Sequence, residues 1–101
     1  MIHTRESQRV PSVSHINFRQ AVAAEVKARR GQIGISQEEL AFRTGVHRTF
    51  IAKLEVARTQ PSLSVTFQLA EALAMAPEDL VKAVRLRIAR STSQKTAQPL
   101  L

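Results

Sequence analysis

Arg48, Thr49 and Lys53 are the residues of this sequence whose types and spacing could do chemistry on a partner, and that chemistry is hydrogen-bond donation. At about 100° per residue, a helix over 47–56 places Arg48, Thr49, Ala52, Lys53 and Val56 on one side and Phe50, Ile51 and Leu54 on the other. The first side holds two cations, a hydroxyl and a small central residue without a carboxylate; Glu55 falls at its boundary, near the apolar side. Such a face can meet base-pair edges. A guanidinium gives two bonds to guanine O6 and N7, an ammonium reaches the same edge or a phosphate, and a threonine bonds or touches a thymine methyl. An amphipathic helix with cations outside also occurs on any soluble bundle, so its neighbours must decide between the two.

Just upstream, Ser36-Gln37-Glu38-Glu39 reads as a capping box: Ser36 bonds the amide of Glu39 and Glu39 that of Ser36. Leu40 and Ala41 form the buried stripe of this short helix, Gly45 ends it through a left-handed residue, and Val46 plugs the turn. His47 starts the next helix. Two short helices joined by so tight a turn make a rigid wedge whose second member fits a major groove. Gln37 and the amides opening the first helix then point toward a phosphate, which sets register without reading sequence.

The rest of the chain holds this wedge. Asn17 is the expected N-cap of a helix over 18–32 carrying Phe18, Val22 and Val26, with Ala21 and Ala28 beside them and Gly34 as its left-handed exit. Pro61 and Ser62 open a helix to residue 74 with Leu63, Phe67, Ala70, Leu73 and Ala74 facing in and Leu69 alongside. Pro77, followed by Glu78 and Asp79, opens a fifth helix to Arg90 whose core stripe is Leu80, Val81, Val84 and Ile88. Leu86 falls off that stripe beside Ala83 and Ala89, and is the candidate dimer contact. No strand is patterned, so the fold expected is an all-α, compact five-helix bundle over 17–90. Residues 1–16 read as a flexible arm, either a leader or a basic segment able to reach a DNA groove, and 91–101 as a disordered tail.

Fifteen Lys and Arg against eight Asp and Glu give +7 in 101 residues, which favours a polyanionic partner. The excess is spread over the chain, so it is not a basic tail on a neutral domain. The four aromatics are all Phe, which leaves no Tyr or Trp platform for stacking single-stranded bases. With no cysteine, and with His3, His15 and His47 lacking ligand spacing, no disulfide, metal or cofactor is expected. Apolar runs are too short for a membrane span and the N-terminus lacks the apolar region of a signal peptide, so the expected location is cytoplasmic. Paired carboxylates in a cleft, a phosphate-cradling glycine loop and a Ser or His set against a base are all missing, so the chain is not read as an enzyme.

The order RRGQIGISQEELAFRTGVHRTFIAKLE, followed by PSLSVTFQLAEAL, resembles the Cro/C1 (XRE) helix-turn-helix family of phage repressors and small bacterial regulators over residues 26–80. Gln37, Leu40, Ala41, Gly45, Val46 and Ile51 carry the likeness together. It implies a lambda-repressor-like domain that binds double-stranded operator DNA as a symmetric homodimer and regulates transcription. By position it implies that Arg48, Thr49 and Lys53 read bases, that Gln37, His47 and Arg58 contact phosphates, and that Arg30 and Glu55 form a partly buried ion pair between helices one and three. Two departures stand out. Val56-Ala57 replaces the usual exit with Gly, which means either a strained left-handed alanine or another turn; His47 replaces Ser or Thr, so a cap bond is lost or changed. An antitoxin or accessory protein of the same fold, gripping a partner protein through its tails while binding its own promoter, is the alternative that the arm and tail permit.

Overall fold

The structure, a computed structural model, describes residues 15–97. Five helices follow one another, α1 (His15–Ile33), α2 (Gln37–Thr44), α3 (Arg48–Glu55), α4 (Leu63–Ala72) and α5 (Pro77–Ala97), and there is no strand among the described residues. Val26, Leu40, Ile51, Leu54, Leu69 and Leu73 are fully buried, so four of the helices supply the centre of the core; Leu80 and Val84 of α5 complete it. No described helix is long and apolar enough to cross a membrane.

The first four helices end by one device. A left-handed residue reverses the chain and the next amide bonds back to the carbonyl five residues earlier: Ile35 to Arg30 (3.2 Å), Val46 to Ala41 (3.1 Å), Arg58 to Lys53 (2.9 Å) and Met75 to Ala70 (2.9 Å). Glycine supplies the left-handed residue at Gly34 and Gly45, with φ +74° and +78°. Alanine supplies it at Ala57 and Ala74, with φ +62° and +59°. The exit after Glu55 is therefore the strained left-handed form, the first of the two turns the sequence leaves open.

Several expectations are corrected. Asn17 lies inside α1, which begins at His15, because nothing between Pro11 and Asn17 breaks a helix. Ala28 is exposed. α5 continues past Arg90 to Ala97, since no Gly or Pro occurs before Pro99 to stop it; the arm over 1–14 and the last four residues lie outside the described residues. Leu63, Phe67, Ala74 and Val81, expected in the core, are exposed; Ala70 and Leu73 are buried as expected, and Leu69, expected alongside, joins them at the centre of the core. The buried stripe of α4 lies about 100° from the expected one, a rotation of one residue. α4 is apolar on both faces, so periodicity alone could not choose.

Candidate nucleic-acid interface

The start of α2 is fixed by Ser36, whose Oγ accepts from the Glu39 amide at 2.9 Å. The expected return bond from Glu39 is replaced by an i,i+4 pair in which Arg43 Nε donates to Glu39 Oε2 at 2.8 Å. Thr44, buried at the end of α2, satisfies its hydroxyl on the Leu40 carbonyl at 2.6 Å. His47 caps α3 through extended backbone (φ −74°, ψ 147°) with no side-chain bond, so the cap bond is lost and the imidazole faces outward, exposed. Ile51 and Leu54 then seat α3 on the core.

Glu55 is drawn inward by three donors. Arg30 Nε reaches Glu55 Oε2 at 2.7 Å, Arg30 Nη2 reaches Oε1 at 2.9 Å, and Gln37 Nε2 reaches Oε1 at 3.0 Å. Arg30 Nη1 also donates to the Ile35 carbonyl at 2.9 Å, so one guanidinium fastens α1 to α3 and closes the turn after α1. The Glu55 side chain is 2% exposed and that of Arg30 19%. Burial pushes the Glu55 carboxyl up, but the bonds from Arg30 and Gln37, with the charges of Arg30 and Lys27, hold it below its ordinary value of 4.5. The bond to Glu55 raises Arg30 in turn. The carboxylate of α3 is thus ionised, paired and removed from the outer face.

On that outer face Arg48, Thr49 and Lys53 are exposed, Ala52 is half-buried between them, and neither His47 nor Arg58 is covered. None of these five exposed side chains is bonded within the described residues. The structure therefore brings Arg48, Thr49 and Lys53 together on one helix and keeps them unpaired. Gln37 stands apart from them: it is half-buried and its amide is committed to Glu55, with one N–H left over. The sequence offered no signal for that bond, because a neutral amide leaves no charge pattern. It also left Arg29 unassigned; its Nε and Nη2 donate to the Leu73 and Ala74 carbonyls, both at 3.0 Å, satisfying the end of α4. Leu86 is exposed.

This arrangement, a short capped helix, a glycine turn and a second helix offering only donors outward, coincides with a match to the helix-turn-helix family HTH_3 over residues 26–80. That match spans more than half of the 101 residues, and the chain belongs to this family of Cro/C1-type DNA-binding transcriptional regulators. An HTH-type transcriptional regulator of Methanothermobacter thermautotrophicus is 44% identical over 48 residues, covering 48% of this chain and 70% of that one. One from Haemophilus influenzae is 38% identical over 53 residues, 52% of this chain and 54% of that one. Among solved structures, the clp gene regulator ClgR of Corynebacterium glutamicum superimposes with a TM-score of 0.72 over 78% of this chain and 84% of that one at 23% identity, a likeness of fold. The restriction-modification controller protein C.AhdI of Aeromonas hydrophila gives 0.63 over 67% and 99% at 29% identity.

Proposed function

We propose that this regulator acts as a homodimer that reads a near-palindromic operator by laying α3 in the major groove of each half-site. Arg48, Thr49 and Lys53 read base edges; the second N–H of Gln37, together with His47 and Arg58, contacts phosphates and sets the register. The observation that carries this reading is the outer face of α3, where three donors stand unpaired while the one carboxylate of the helix is turned inward and neutralised by Arg30. The exit at Ala57 supports a role for Arg58, because the reversal leaves that side chain exposed directly after α3.

Selection of bound duplexes from a random DNA pool tests the reading as a whole. The expected product is a short consensus repeated as an inverted pair with half-site centres about 34 Å, one helical turn, or a multiple of it apart. A pool that remains random after selection contradicts it.

A further inference from the structure

Val56 is an apolar residue without a packing task. It stands directly after α3 as its C-cap (φ −111°, ψ 20°) and is 62% exposed. It neither belongs to the core nor packs against it. The other large apolar side chains exposed among the described residues, Phe42, Leu63, Phe67, Val81 and Leu86, lie on α2, α4 and α5. Position 56 falls on the donor face: measured around the helix from Arg48, Ala52 comes at about 40°, Val56 at about 80°, Thr49 at about 100° and Lys53 at about 140°. Val56 is therefore near the middle of that face. Its backbone is held by the turn, since its own amide and that of Arg58 donate to the Lys53 carbonyl at 3.3 and 2.9 Å and the Ala57 amide donates to the Leu54 carbonyl at 3.1 Å. A β-branched side chain has little χ1 freedom to lose, so the isopropyl group is offered outward at low entropic cost.

We propose that Val56 is a further specificity-determining residue, which makes an apolar contact with the C5-methyl of a thymine in the major groove. The inference rests on the placement of α3 proposed above and adds a base pair to what that helix reads. Phosphates and the donor and acceptor edges of bases gain nothing from an isopropyl group; the thymine methyl is the apolar group that a base pair presents in this groove. Ala52, small and half-buried, adds no bulk that would hold the helix off the base edges, so a side chain as short as valine can reach them. Val56 follows Arg48 by eight residues, which is about 12 Å along the helix or three to four base-pair steps of about 3.4 Å. The methyl it meets therefore belongs to a pair at the other end of the half-site from the one that Arg48 reads.

Equilibrium binding of the full chain tests the contact, on the selected duplex and on duplexes in which each thymine of one half-site is replaced in turn by deoxyuridine, which lacks only the methyl. The wild type is compared with Val56→Ala and with Thr49→Ser, because the Thr49 methyl is the rival partner. In the wild type, methyl removal at one position weakens binding about fourfold, the worth of one buried methyl group. Val56→Ala weakens binding to the selected duplex by about the same factor for each half-site and abolishes the sensitivity at that position, whereas Thr49→Ser retains it. Thermal midpoints, unchanged because both positions are exposed, show that the variants are folded. If the wild type is indifferent to methyl removal at every thymine, if the loss is as large in Val56→Ala, or if the half-site consensus holds no A·T pair, the contact at Val56 is wrong while the reading face stands, as continued preference for the selected over a scrambled duplex shows. If selection leaves the pool random, the reading face itself falls, and this contact with it.

Discussion

Glu55 sits on α3, the helix we propose to lie against DNA, where an unpaired carboxylate would be repelled by phosphate. Arg30 and Gln37 solve this by holding it 2% exposed on the inner side. The two partners are not equivalent. Removing Arg30 strands a buried carboxylate on Gln37 alone, whereas neutralising Glu55 leaves an Arg30 that is 19% exposed and can turn to water. Arg30→Ala is therefore expected to cost about 3–5 kcal/mol in chemical denaturation and Glu55→Gln only about 1–2 kcal/mol; the reverse order contradicts the assignment. The folded carboxyl lies below its ordinary value of 4.5, so its contribution is fully present above that pH and is lost as pH falls through the folded value. The acid limb of stability should accordingly flatten in Glu55→Gln. The Arg30–Glu55 pair was legible because both residues match positions in the family pattern. The Gln37 bond was not, and Gln37 thereby acquires a structural task alongside the phosphate contact proposed for it.

Helix ends show how far local rules carry. Ser36, Gly34 and Gly45 announce their turns in the sequence, since side-chain caps and left-handed residues each have few candidates. The alanine exits at Ala57 and Ala74 follow the same geometry without the residue that makes it easy, and only the first was open to suspicion, through its departure from the family pattern. A left-handed alanine costs about 1–2 kcal/mol, part of which glycine returns through its greater freedom in the unfolded chain. Ala57→Gly should thus stabilise by about 0.5–1 kcal/mol and raise the thermal midpoint by about 2–6 °C. A midpoint that is unchanged or lowered would show that Ala57 carries no strain. The stripe of α4 failed for a different reason: Leu63 and Phe67 mark one apolar face and Leu69 and Leu73 another, and only packing against α1, α2 and α5 selects the second.

Net charge of +7 does not reveal which cations meet DNA, because several of the fifteen Lys and Arg have tasks within the fold. Arg29 closes the end of α4, Arg30 holds Glu55, Arg43 pairs with Glu39, and Arg87 binds Glu25 at 2.7 Å to tie α5 to α1. Among the exposed cations outside these bonds, Arg48, Lys53 and Arg58 are the three set on α3 and at its exit. The composition of the α3 face was legible from spacing in one helix, whereas the bonds of Arg29 and Arg87 between helices required the three-dimensional arrangement. The most direct test is equilibrium binding, at one salt concentration, of the wild type and of Arg48→Ala with Lys53→Ala to the selected duplex and to a scrambled one. The wild type should prefer the selected duplex, and the double variant, equally stable because both positions are exposed, should lose about 1–3 kcal/mol of that preference for each base contact removed. Equal, sequence-blind affinity in both proteins would contradict a reading face on α3.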